Sequence, residues 1–482
     1  MAPAAESSPT REHVNALNTP TWVTTIKHPQ SRLCLAWRTS KIRAREKLIK
    51  VFSSVALIVA VAFVVRAAFL YSYFQFVVGR TFQGNEPFGY ETGAIAAAIA
   101  QGRGFSSPLK TVQTGPTAWL TPIYPYLLAA IFKFFGIYSY TSHIVICFIN
   151  NAFSAFTCWP LYSIGERAFS KRVGAAAAWS WVAFPMSLFF STVWVWDTAL
   201  SALMVALIVA ATLKMRGSKQ LSSWAAYGAL WAAGAMINAS VVSLLLPLAI
   251  WAVLPLRREP FLAMRVAAAG SIVFMIGITP WTVRNYVVFN KIIPFRSNFG
   301  LELWLGNNPL VPDLWSPTLH PNNSATEAAK YARITEIPYM QMKEDEAALF
   351  IRTHPIDVAR FIRNRFADNW LGMWTSPFDL WSRVSLQARL GTIGNWAFPL
   401  LSLVGVLIAY RQRNAAAWPL VSVMLFFPLV FYVTHTSSRY SHPMHPIMLV
   451  LGVYAVGYLA AGLLRFFLSL RQARMSANSF ES

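Results

Sequence analysis

A chain of 482 residues in which 56% are hydrophobic and only 12% charged cannot cover a water-exposed surface, since soluble globular proteins carry roughly 25% charged residues. In a soluble protein the net charge of +22 would suggest nucleic acid. Here the basic residues gather at the ends of apolar runs, which points to membrane lipids with anionic headgroups and to no nucleic acid.

Taken in chain order, residues 1–49 are polar and basic, too long and irregular for the leading part of a signal peptide, and read as a cytoplasmic tail. The first span is expected at 51–72, behind Arg43, Arg45, Lys47 and Lys50, so that the N-terminus lies inside. Arg66 lies well along this helix and is expected to snorkel outward, with contact to a phosphate as the alternative. A first outer loop follows over 73–139. Within it, Leu120 to Phe135 is apolar but short and holds Pro122 and Pro125. It is read as a re-entrant or interfacial helix, because counting it as a span would place every later basic cluster outside.

Further spans are expected at 140–163, 173–191, 197–214, 221–237, 240–256, 265–283, 393–410, 416–433 and 446–466. The fold class is thus an all-α polytopic membrane protein of about ten transmembrane helices. A membrane core over 50–284 and C-terminal helices over 393–466 flank a small, mostly helical extracytoplasmic domain at 285–392. A cytoplasmic tail occupies 467–482. In the outer domain, Ser324 with Glu327 reads as a capping box and His354-Pro355 as the opening of another helix.

In a membrane protein, chemistry is sought where polar residues defy the solvent. Outside the tails and the large loop the acids are Glu86, Glu91, Glu166, Asp197 and Glu259; Glu166 and Glu259 sit among cytoplasmic basic residues. Glu91 heads an Ala/Ile-rich helix that ends at Gly102, where the helix dipole favours an ionised carboxylate. It reads as a general base or substrate ligand, or as a helix-end charge. Glu86, in a turn made by the following Pro87 and Gly89, is its nearest competitor. Asp197, in Trp194-Val195-Trp196-Asp197-Thr198, reads as a site acid or as a polar cap.

Three segments bring basic and hydrogen-bonding groups to the same side: Arg284 at the end of the seventh span, Arg296 soon after it, and Arg439-Tyr440-Ser441-His442-Pro443. Arginine offers a bidentate fork to a phosphate, and the alternative for each is a headgroup anchor. Three cysteines, Cys34, Cys147 and Cys158, show no metal spacing, and His442 with His445 is too small a set for a metal site. There is no Walker A loop, dinucleotide fingerprint, His-Glu-x-x-His or Gly-x-Ser-x-Gly, which removes support for nucleotide-driven chemistry.

The loop acid, the Ala/Ile helix, Gly102-Arg103-Gly104-Phe105-Ser106-Ser107-Pro108 and Gly115-Pro116-Thr117-Ala118-Trp119-Leu120-Thr121-Pro122-Ile123-Tyr124-Pro125 together resemble the first periplasmic loop of the GT-C superfamily. That superfamily includes protein O-mannosyltransferases and aminoarabinose transferases. Arg439-Tyr440-Ser441-His442-Pro443 is similar to the pattern near the last helices of those chains. Two departures stand out: Tyr90-Glu91 replaces the adjacent Asp-Glu pair of many members, and His445 falls where an acidic or neutral residue is common.

The resemblance implies an inverting transfer from a polyprenyl-phosphate sugar to a lipid, glycan or protein acceptor. The reaction would take place on the periplasmic face of a bacterial inner membrane, with no organic cofactor and room for a divalent metal. Glu91 and Asp197 fall at the places of its two acids, and Arg284, Arg296, Arg439, Tyr440 and His442 would hold the donor phosphate. The alternatives are a secondary transporter, whose repeated halves and midplane binding residues are missing here, and a polyprenyl-lipid flippase or ligase. A cavity at the outer face lined by Glu91, Asp197 and Arg439 would discriminate in favour of transfer.

Overall fold

The computed structural model describes residues 53–82, 86–312, 314–371 and 386–478. The expected tail at 1–49 with Cys34, the start of the first span and the stretch 372–385 of the large loop lie outside them. Among the described residues every regular element is a helix, with one isolated bridge between Ser106 and Pro116.

Helix α1 (Val55–Tyr73) continues through one π turn over Phe74–Val78. Two short helices follow in the first long loop, α2 (Tyr90–Ala100) and α3 (Ile123–Phe135). The α3 helix has 13 residues, too few to cross a bilayer, and only one face is covered: Leu128 and Phe132 are buried while Phe134 is 82% exposed.

The bundle continues with α4 (Tyr140–Phe156), α5 (Cys158–Ala168), α6 (Lys171–Ala183), α7 (Pro185–Thr192), α8 (Thr198–Met215), α9 (Leu221–Ile237), α10 (Leu245–Val253) and α11 (Pro260–Phe289). The large loop contributes α12 (Phe299–Gly306), α13 (Ala325–Ile334), α14 (Glu336–Thr353) and α15 (Pro355–Leu371). It is followed by α16 (Leu386–Arg411), α17 (Trp418–Phe426), α18 (Leu429–Val433), α19 (Ser438–Ser441) and α20 (His445–Asn478). Among the described residues seven helices are long and apolar enough to span a membrane, eight if the bent pair α6–α7 counts as one. The chain is therefore an integral membrane protein, and this number stands below the expected count. The reason is length: α9 has 17 residues, and the apolar part of α16, Trp396–Arg411, is shorter still.

Helix ends follow local chemistry. Pro185 holds Phe184 in an extended conformation (φ −67°, ψ 116°), so α6 stops and α7 restarts at an angle of 51°. The large loop begins later than expected, because α11 runs on through Arg284 and Asn285 to Phe289 and is closed by Asn290 in the left-handed region (φ 48°). Ser324 Oγ accepts from the Glu327 N–H (3.3 Å), but Glu327 does not complete the capping box; its carboxylate takes Tyr339 Oη (2.6 Å) and Lys343 (3.0 Å) instead. Pro355 opens α15, as the sequence suggests.

Lipid-facing helices gain little from the hydrophobic effect between one another, so close backbone approach does the joining. Gly228 of α9 meets Gly270 of α11 so closely that a Cβ at 228 would land on the Gly270 carbonyl.

Arg66 does not snorkel. It is fully buried, donating to Ser154 Oγ (2.9 Å), Ser187 Oγ (2.9 Å), the Ala62 carbonyl (3.2 Å) and the Trp181 carbonyl (3.1 Å). The α6–α7 break frees carbonyls in the interior, and the guanidinium supplies donors for them.

Glu336 joins the first long loop to the large one. It is buried and accepts from the Thr117 hydroxyl, the Ala118 N–H (2.7 Å), Ser297 Oγ (2.6 Å) and Tyr331 Oη (2.7 Å). Thus the two segments that frame the cavity described next are fixed to each other.

Candidate functional site

A cavity of about 580 Å³ opens between the first long loop, the start of α8, the large loop and the Thr434–Tyr440 segment. Its lining includes Glu91, Asp197, Arg296, Glu302, Arg439 and Tyr440.

Glu91 sits in the first turn of α2 and is 6% exposed. The chain enters this helix through two left-handed residues, Gly89 (φ 79°) and Tyr90 (φ 48°). Asn322 Nδ2 donates to Glu91 Oε1 (2.5 Å), and His320 Nε2 lies 3.5 Å from the same oxygen. Both partners come from the large loop. Glu86 is exposed and is not among the cavity's lining residues.

Asp197 precedes α8 but does not cap it; its Oδ2 accepts from Ser201 Oγ (3.0 Å) and Asn238 Nδ2 (3.1 Å). Both partners are neutral, so the carboxylate keeps its acceptor capacity.

Arg439 has no carboxylate partner among the described residues. Its guanidinium lies 4.3 Å from the centre of the Trp196 ring and 5.7 Å from that of Trp194, and hydrogen bonds to Tyr440 Oη (3.4 Å). Its buried Nε has no partner. Arg296, by contrast, is committed: Nη2 pairs with Glu302 Oε1 (2.8 Å) and Nε donates to Asn298 Oδ1 (2.5 Å).

Glu302 is the acid that the sequence reading passed over. It joins Arg296 to His435, whose Nδ1 lies 3.0 Å from Glu302 Oε2, and His435 Nε2 in turn meets Tyr440 Oη (3.1 Å). Burial alone would raise the carboxyl pKa of Glu302, but His435, Arg296 and His320 outweigh it and bring it down to about 2. Burial pushes the His320 imidazole down, against the opposing pull of Glu91 and Glu302.

Two expected residues lie elsewhere. Arg284 is not among the lining residues; it donates to the carbonyls of Thr117 (2.7 Å) and Phe105 (2.9 Å) and covers the Trp281 ring at 5.0 Å. His442 is fully buried, packed on Trp181 and Phe190, with Nδ1 3.3 Å from His445 Nδ1. Glu302, His320, Asn322 and His435 come into the site only through folding of the large loop and the segment before α19. The only sequence signal for them is that they are polar groups on the same predicted side.

Among the described residues no three His, Cys, Asp or Glu side chains are grouped to hold a metal ion. Asp197 has only a hydroxyl and an amide beside it. This donor set does not fit a bound divalent ion.

Neither a protein-family model nor a curated protein matches the chain. Among solved structures it is similar to the oligosaccharyltransferase of Archaeoglobus fulgidus in complex with Zn and sulfate (TM-score 0.48, 15% identity, 86% of this chain and 51% of that one). The same archaeal enzyme, AglB, with an inhibitory peptide and a dolichol-phosphate gives TM-score 0.48 at 13% identity over 87% of this chain and 52% of that one. ArnT from Cupriavidus metallidurans bound to undecaprenyl phosphate gives TM-score 0.37 at 14% identity over 85% and 78%. The chain spans about half the length of the archaeal enzyme.

Proposed function

We propose that the protein is a glycosyltransferase that moves a sugar from a polyprenyl-phosphate donor to a lipid, glycan or protein acceptor at the outer face of the membrane. The observation that carries this reading is the gathering, in one cavity, of two carboxylates with neutral partners and a guanidinium with no carboxylate partner among the described residues. Transfer to an oxygen acceptor needs a base for the incoming hydroxyl and a cation for the departing phosphate.

In this mechanism Glu91 takes the acceptor proton while the acceptor oxygen attacks the anomeric carbon. The carbon–oxygen bond to phosphate breaks, and its electron pair leaves with the polyprenyl phosphate. Arg439 holds that phosphate through its free donors, and Tyr440 fixes the guanidinium. Arg296 adds its remaining donors, and Asp197 orients the acceptor. Arg284 and His442 have no part, because neither lines the cavity.

Mass spectrometry of envelope lipids and glycans from cells with and without the gene tests this. The proposal expects a sugar substituent to vanish and a polyprenyl-phosphate sugar to accumulate. An unchanged envelope with loss of solute uptake would replace transfer by transport.

A further inference from the structure

Glu91 carries its two partners on one oxygen. Among the described residues, Asn322 and His320 both address Oε1. Each is itself aimed by a second contact. The Lys110 backbone N–H donates to Asn322 Oδ1 (2.9 Å), which settles the amide's orientation and leaves Nδ2 for Glu91. The Asn322 backbone N–H donates to His320 Nδ1 (3.2 Å), so the neutral ring carries its proton on Nε2, the nitrogen facing Glu91. Trp119 packs edge-on against the same imidazole at 5.9 Å. These contacts bridge segments as far as 231 residues apart in the chain.

We propose that Asn322 and His320 are positioning residues for Glu91: the large loop clamps one carboxylate oxygen and leaves the other to receive the acceptor's proton. This rests on the reading of Glu91 as the base. The clamp does two things. It fixes the carboxylate in one rotamer, and it makes the two oxygens unequal, one engaged by donors and one open. The other charged groups that act here are Arg439, whose charge interacts with Glu91, Glu302 and His435, which both interact with His320, and Lys110, whose ammonium lies over the Tyr90 ring at 4.6 Å. None of them donates a hydrogen bond to Glu91, so removing the clamp changes the carboxylate without removing a charge.

The test needs no substrate. Infrared spectra of purified full-length protein in lipid nanodiscs are recorded, and the Glu91 carboxylate stretching band is isolated by difference against Glu91→Gln. Asn322→Ala should shift that band, because Oε1 loses its closest donor. His320→Gln, which keeps an N–H donor, should move it less. A purely structural role for Asn322 would lower thermal stability and leave the band in place, and an unchanged band in both variants overturns the proposal. Full turnover by Glu91→Gln would instead remove Glu91 as the base while leaving this spectrum readable, so the two failures are distinct.

Discussion

Arg439 and Arg296 are the same residue type in the same cavity, yet their surroundings assign them different work. Glu302 neutralises Arg296, and with its pKa held at about 2 it stays ionised throughout the working pH range. Arg439 stacks on ring faces, bonds to a phenol and forms no ion pair with a carboxylate among the described residues, so its charge remains for a ligand. Lysine would keep that charge but lose the planar fork. Arg439→Lys is therefore expected to weaken binding of undecaprenyl phosphate to the purified protein by about tenfold or more, comparable to the loss of one charge-assisted hydrogen bond of ~1.5–3 kcal/mol. Arg296→Lys should do less. Equal affinity in the Arg439→Lys and unmodified proteins, measured by native mass spectrometry, would return Arg439 to the role of a headgroup anchor.

At the scale of elements, the break between α6 and α7 is held from outside by Arg66. Removing the guanidinium takes a charge-assisted donor from the Trp181 carbonyl and from the Ser154 and Ser187 hydroxyls, at a cost of about 1.5–3 kcal/mol for each such bond. Arg66→Met should lower the midpoint of thermal unfolding by several degrees while leaving undecaprenyl phosphate affinity unchanged in the folded fraction. The opposite pattern, intact stability with lost affinity, would mean that Arg66 reaches the phosphate.

The location of helices was legible in the sequence at this scale because apolar runs and prolines act locally. The fate of Arg66 was not, since its partners on α4, α6 and α7 lie 88 to 121 residues away. Arg284 and His442 show the same limit from the other side. Each neighbours residues of the right chemistry, but the α11 surface turns Arg284 to the Phe105 and Thr117 carbonyls, and His442, three residues beyond Arg439, faces Trp181.

Over the whole molecule, scarcity was the strongest signal. Few carboxylates lie on the membrane body, and two of them, Glu91 and Asp197, line one cavity. Scarcity also hid Glu302, which sits among the ten of nineteen acids in the large loop and was not distinguishable from a solvated charge. Only the folding of that loop onto the first one, through Glu336 and through Asn322 with Glu91, sets those polar groups against the membrane body. Transfer as a whole depends on the base. In a reconstituted transfer assay, purified Glu91→Gln should lose about 100- to 10,000-fold in rate yet fold and bind undecaprenyl phosphate as the unmodified protein does, while Glu86→Gln turns over nearly normally. Normal turnover by Glu91→Gln would contradict it.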